Sequence, residues 1–219
     1  MNKELAEIIK IYATKSDREL NDYLLGKSKN NLIGVLIDLI TMYINDKNSS
    51  TLREFITVTV AGYHHTEGKI GYNGYKQNVY GKPLMCEAKP KNVRSDGMRK
   101  LNGGGNFTDY THERLERDIK ENLHMLVSGF VDGKLIHILE FPFKCSFFIS
   151  KLEKQLNKRF PNGDITGQFL RSANFDYRDY IQCKDLKVVF CLPKKELIEY
   201  KDNIVKGFYE FLMEVAPND

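Results

Sequence analysis

The chain of 219 residues has no tryptophan, which by itself excludes nothing. The lack of any C-x-x-C pair among Cys86, Cys145, Cys183 and Cys191 says more. Cysteines this far apart do not have the spacing of a zinc or redox motif, and runs such as Leu84-Met85-Cys86 and Val189-Phe190-Cys191 place them among apolar neighbours. All four are expected to be reduced core residues. No basic segment followed by an apolar stretch opens the chain, so no secretory signal is visible. The most apolar early segment, Leu32 to Ile44, is interrupted by Asp38 and is too short to span a bilayer. Internal repeats and low-complexity segments are missing as well. A cytoplasmic protein without membrane association is expected.

What is present is an ordinary globular balance, 42% hydrophobic and 28% charged, which argues against long disordered tails. The length suits one substantial core, so 1–219 is read as a single domain, with 1–50 a helical scaffold and 51–219 the functional core. The net charge of +4 suits a polyanionic partner without requiring one. Its distribution is more telling, because Lys82, Lys89, Lys91, Arg94, Arg99 and Lys100 crowd a stretch rich in Gly and Asn. Such a stretch is either a solvated basic loop or a phosphate-contacting surface.

Hydrophobic periodicity predicts a helix through Leu5, Ile8, Ile9 and Tyr12 and another through Leu32, Val35, Leu36, Leu39, Ile40 and Tyr43, with Ser16 and Glu19 forming a capping box between them. A short helical turn at Leu52 to Phe55 is expected to lead into a strand over Ile56 to Val60, where β-branched residues dominate. Lys69 to Gln77 alternates and Pro83 to Lys89 follows a turn at Gly81, giving a hairpin. A Gly-rich loop, Asn102 to Asn106, precedes a helix over Thr111 to Ser128. Beyond the Asp132-Gly133 turn come a buried strand (Leu135 to Phe141), a helix (Phe147 to Phe160), a strand (Lys187 to Leu192) and a closing helix (Lys195 to Val215). Arg171 to Tyr180 reads as a loop, pinned to the core by its aromatics or used in nucleic-acid contact. This order describes an α/β sandwich with a central mixed sheet flanked by helices and extra N-terminal helices.

The segment with the most chemistry is Glu67-Gly68-Lys69-Ile70-Gly71-Tyr72-Asn73-Gly74-Tyr75, followed by Cys86-Glu87-Ala88-Lys89-Pro90-Lys91. Residues two apart on a strand share a face, so Glu87 and Lys89 present a carboxylate and an ammonium side by side. A phosphodiester hydrolase needs a hard oxygen ligand for Mg²⁺ and a cation near the attacking water. The same pair on an exposed edge is also an ordinary cross-strand salt bridge.

Glu87-Ala88-Lys89 after a hairpin resembles the PD-(D/E)XK nuclease superfamily, whose signature is an acidic residue at a strand start, a hairpin, and D/E-x-K on the next strand. Asn73, in Tyr72-Asn73-Gly74-Tyr75, stands where the resemblance places an Asp; Glu67 is favoured as the second acid, with Glu54 a further candidate. The resemblance implies a restriction-endonuclease-like fold and a type II restriction endonuclease that uses Mg²⁺ to hydrolyse double-stranded DNA, leaving 5′-phosphates. Glu87, Glu67 and Asn73 would form the metal site, and Lys89 would assist the attacking water. Gly105-Asn106 and then His112-Glu113-Arg114 are similar to the base-reading segment of restriction enzymes of the EcoRI and MunI type, although the spacing is longer. DNA contacts are accordingly expected from Lys91, Arg94, Arg99, Lys100, Asn102, Asn106, His112 and Arg114, where Arg114 can donate twice to guanine and Asn106 can pair with adenine. Thr111 as a plain helix cap, with Arg114 and Arg117 solvated, explains the same residues. A homodimer would match a palindromic target, and no small-molecule substrate is expected. A structure-directed or repair nuclease, or an inactive DNA-binding protein on the same fold, are the alternative readings. His64 and His65 point to opposite faces of a strand and lack partners for zinc.

Overall fold

In the computed structural model, residues 3–45, 50–66, 72–78, 81–121 and 123–218 are described. Four helices come first: α1 (Lys3–Thr14), α2 (Asp17–Leu25), α3 (Lys29–Asn45) and α4 (Thr51–Val60). The capping box at α2 is present, with Ser16 Oγ accepting from Glu19 N and the Glu19 carboxylate accepting from Ser16 N. Ile56 to Val60 does not form the expected strand but lies in α4. Phe55, Ile56 and Val58 pack into a shared core there, and Thr57 Oγ1 donates to Arg53 O (2.7 Å) and accepts from Ser128 Oγ (2.6 Å). Tertiary burial outweighs β-propensity in this segment.

Strands β1 (His64–His65), β2 (Gly74–Lys76) and β3 (Leu84–Val93) pair antiparallel in sequence. Within the described part of the alternating segment from Lys69, the strand is β2; positions 67–71, including Glu67, lie outside the described residues. After β3 come β4 (Gly105–Tyr110), α5 (His112–Glu121), β5 (His124–Val131), β6 (Lys134–Pro142), α6 (Ser146–Arg159), β7 (Leu170–Phe175), β8 (Lys187–Cys191), α7 (Lys194–Leu197) and α8 (Lys206–Val215). Six strands form one mixed sheet in the order β1-β2-β3-β5-β6-β8, parallel only between β3 and β5, and β4 pairs with β7 as a separate antiparallel ribbon.

Four further expectations are corrected. The helix predicted over Thr111 to Ser128 stops at Glu121, and Leu126 lies in β5, buried at the centre of the sheet. Part of the expected Gly-rich loop begins β4. The segment Arg171 to Tyr180 is mostly β7 and a short 3-10 helix, not a loop. The closing helix is broken into α7, a 3-10 turn over Ile198–Asn203 and α8, because Leu101 N donates to Asn203 O and Val205 N donates to Leu101 O, drawing the chain into an extended bridge. The Asp132-Gly133 turn is as expected: both residues have positive φ (48° and 85°), the requirement of the tight two-residue hairpin that joins β5 to β6.

The sheet separates two apolar clusters. On one side α1 and α4 pack through Leu5, Ile9, Phe55 and Val58 onto Cys86, Ala88, Leu126 and Ile138. On the other, α5, α6, α8 and the β4–β7 ribbon bury Phe107, Leu115, Phe148, Phe175 and Phe208 against Met125, Val127, Leu139 and Phe141. Cys145 and Cys183 are joined by a disulfide, which corrects the expectation that all four cysteines are reduced; Cys86 and Cys191 are free and buried. Among the described residues no helix is long and apolar enough to cross a membrane.

His137 is fully enclosed, and neither ring nitrogen has a hydrogen-bond partner. Its ring lies so close to Gly129 that a Cβ there would meet His137 Cε1 at 2.3 Å. Burial pushes its pKa down to about 3. The unfolded chain therefore binds a proton that the folded chain refuses, so this residue's contribution to stability is intact above about pH 6.5 and falls as pH drops toward 3. Comparing urea midpoints of wild type and His137→Leu between pH 7 and 5 should show wild type losing more stability than the variant. Parallel pH dependence in the two proteins would refute a neutral buried imidazole.

Candidate functional site

The ten residues of β3 build the site. Its even positions, Cys86 and Ala88, join the core beneath α4, so Glu87, Lys89 and Lys91 form a row on the opposite face, beside Met125 and Val127 of β5. Lys89 Nζ donates to Glu87 Oε1 at 2.6 Å, and the two side chains are only 18% and 12% exposed. Lys89 Nζ also sits 4.7 Å from the centre of the Phe107 ring in β4. A Cβ on Gly105 would come within 2.9 Å of Lys89 Cβ, so glycine is what lets the returning chain cross over the lysine.

Asn73 stands just before β2 and ties three elements together. Its Nδ2 donates to Glu54 Oε2 of α4 (3.2 Å), its Oδ1 accepts from Ala88 N (2.8 Å), and its backbone N donates to Cys86 O. The amide thus acts as donor and acceptor at once, which a carboxylate cannot do. Two residues on, Pro90 lacks the N–H that would face this same edge, where β2 has already ended.

A second acid approaches from α5. Asp118 is 3% exposed, accepts from Tyr110 Oη (3.3 Å), and lies 3.8 Å from Arg114 Nε and 3.5 Å from Arg117 Nη2. Burial raises its pKa against the pull of Arg114 and Arg117, and the Glu87 charge adds to the rise. Burial, with Asp118 beside it, pushes the Tyr110 hydroxyl up as well.

The DNA-contact candidates are distributed unevenly. Lys91 continues the row and donates to Asn102 Oδ1 at 2.8 Å; burial, then the Arg99 charge, lower its pKa. Arg94, Arg99 and Lys100 are exposed; Arg94 follows the end of β3, roughly 20 Å along the strand from Glu87, and is paired with Asp96, while Arg99 is close enough to Lys91 to act on it. Arg114 is not a free reader: its Nη1 donates to Thr108 O, and its guanidinium lies over the Phe107 and Tyr110 rings. Thr111 Oγ1 caps α5 by accepting from Arg114 N. The Asp164 carboxylate accepts from His112 N and Glu113 N and from His112 Nδ1, while His112 Nε2 meets Asn157 Oδ1. The anion site at this helix terminus is therefore filled from within the chain. Asn106 is exposed on the ribbon.

Sequence reasoning passed over Asp118 within the predicted Thr111 to Ser128 helix, and also missed a polar cluster on the α4 side of the sheet. There Glu140 Oε1 accepts from Tyr63 Oη (2.7 Å) and pairs with His124 Nδ1 (2.6 Å). Burial would raise the Glu140 pKa, but the hydrogen bonds from His124 and Tyr63, with Lys76 nearby, hold it down to about 2. A lone Glu inside the apolar run Leu135 to Phe141 was the available signal.

Among the described residues no three His, Cys, Asp or Glu side chains are gathered as a metal site. The carboxylates that the described residues bring near this site include Glu87, Asp118 on the same side of the sheet and, through Asn73 at the sheet edge, Glu54. Comparison with protein-family models, curated proteins and solved structures found no match to any of the three.

Asn73→Asp should lower stability by about 1 kcal/mol, since it loses a donor and sets two carboxylates against each other. Adding Glu54→Gln should restore most of the loss, because the new amide can donate to the Asp. Thermal melts of the single and double variants check this, and a neutral Asn73→Asp would contradict the Glu54–Asn73 hydrogen bond.

Proposed function

We propose that the chain is a Mg²⁺-dependent endonuclease of the PD-(D/E)XK type, acting on double-stranded DNA as a type II restriction enzyme. The observation that carries this reading is the Glu87–Lys89 pair: a carboxylate and an ammonium 2.6 Å apart, on a central strand directly after a hairpin. Glu87 and the side chains around Asn73 offer hard oxygen ligands of the kind Mg²⁺ takes, and Glu67 remains the proposed second acid. Bound Mg²⁺ would supply Lewis acidity toward a phosphoryl oxygen. Lys89, held by Glu87 and the Phe107 ring, positions the attacking water and offsets charge developing on the phosphate. Lys91 and the Arg94, Arg99 and Lys100 loop contact backbone phosphates further along the duplex.

A homodimer fits a palindromic target, and α3 supports it with an exposed apolar stripe formed by Ile33, Leu36, Ile37, Ile40 and Tyr43. A second reading, DNA binding without cleavage on the same fold, is favoured by one observation: Asn73 replaces the carboxylate of the resemblance and already has both ends of its amide engaged.

Incubation with long unmethylated DNA and Mg²⁺ should give discrete fragments. Cleavage should fall by at least a hundredfold in Glu87→Ala and Lys89→Ala, scored on gels against melts showing that both variants remain folded. DNA retention without cutting by the wild-type protein would favour the second reading.

A further inference from the structure

We infer that the β4–β7 ribbon is the element that reads base edges in the major groove. This rests on the nuclease reading and adds to it the part of the chain that selects sequence. The two strands pair Asn106 with Asn174 and Thr108 with Ser172. Alternation sends Phe107, Ala173 and Phe175 into the core, so the other four side chains share the outward face. Those four positions carry only amides and hydroxyls, while the charged residues of the ribbon, Asp109 and Arg171, are exposed at its other end. Asn106 Nδ2 donates to Ser172 Oγ (3.4 Å), and Ser172 Oγ donates to Asn174 Oδ1 (3.1 Å), which orients the groups before any ligand arrives.

The backbone of Asn174 is held as if by a third strand. Gln155 of α6 accepts from Asn174 N with Oε1 and donates to Asn174 O with Nε2, each at 2.9 Å. This closes the β7 edge and fixes the ribbon against α6. Lys151 and Lys158, one turn before and after Gln155, share its side of the helix; Lys158 is exposed, and Lys151 lies 3.5 Å from Asp179. A run of hydrogen-bonding side chains with the exposed Lys158 on one flank and Arg171 at one end matches a duplex groove, where base edges lie between rows of phosphate. A two-stranded ribbon fits a major groove about 12 Å wide, and Asn is suited to adenine, whose N6 and N7 take one donor and one acceptor.

The position also suits the chemistry. The inner face of the ribbon is what covers Lys89, through Gly105 and Phe107. One packed layer therefore separates the outer face from the Glu87 row, so the two would meet different parts of the duplex, whereas Arg114 and His112 at the start of α5 are committed to contacts within the chain.

The test separates reading from cutting by using Glu87→Ala protein to select from a pool of DNA duplexes with a randomised centre. The parent should enrich an adenine-containing sequence. Adding Asn106→Ala or Asn174→Ala should reduce the preference for that sequence over random duplex by roughly tenfold or more, with low-salt affinity for random duplex and the melting temperature unchanged. Adding Lys158→Ala should weaken all duplexes alike and lower the salt slope by about one. Unchanged preference in both Asn variants, while the Glu87 protein still cuts, would remove the ribbon as reader and leave the nuclease standing. Binding confined to single strands or RNA would also overturn the inference, and failure to bind any duplex would remove both.

Discussion

The parallel pairing of β3 with β5 is the constraint on which the rest of the molecule depends. It runs in unbroken register from Cys86 opposite His124 to Val93 opposite Val131. Parallel neighbours cannot be joined by a tight turn, so the chain between them must cross one face of the sheet. It crosses the face carrying Glu87, Lys89 and Lys91, and it brings β4 and α5 with it. The same ladder divides the apolar side chains: Met125 and Val127 go to the cluster under the ribbon and α5, while Cys86, Ala88 and Leu126 go to the cluster under α1 and α4. One pairing thus sets the core and decides what covers the candidate site.

The electrostatics follow from that cover. An ion pair as sheltered as Glu87 with Lys89 loses much of its hydration, and such pairs persist only where neighbouring groups compensate. Here Phe107 presents its ring to the ammonium, and the Asp118–Tyr110–Arg114 group extends the charge network across α5. Asn73 works at the edge rather than on the face. Its amide closes the ladder where β2 ends and joins α4 to β3, a bifunctional task that explains in structural terms how an amide fits at a position where the resemblance places an acid. The β4–β7 ribbon and the Glu87 row are two layers of one packing unit, joined through Phe107 and Phe175.

The parts legible in the sequence were those governed by short-range periodicity. Glu87 and Lys89 share a face because strand period is two, and the Ser16–Glu19 box and the Asp132-Gly133 turn have local causes. Where local pattern and tertiary packing disagree, the sequence misleads. Ile56 to Val60 is β-branched yet helical, because α4 buries Phe55, Ile56 and Val58. Leu123 and Leu126 continue the spacing of Leu115 and Ile119, and so hide the start of the central strand β5. The pairing of β4 with β7 joins residues 60 to 70 positions apart, and the Cys145–Cys183 bridge spans 38; neither leaves a local mark. For the site, the second carboxylate near Glu87 is Asp118, visible only once α5 is folded over β3, and the engagement of Arg114 and His112 depends on Thr108 and Asp164, which are distant in pattern if not in space.

The claim at the centre is that Glu87 holds a divalent cation beside Lys89. Manganese serves as a spin probe for magnesium, so the most direct measurement is the signal of free Mn²⁺ during titration into the protein with duplex DNA, for wild type and Glu87→Gln. Depletion of the free signal by wild type, with near-complete recovery in Glu87→Gln, is the predicted result. Superimposable curves for the two proteins would show that Glu87 binds no metal and would contradict the nuclease assignment.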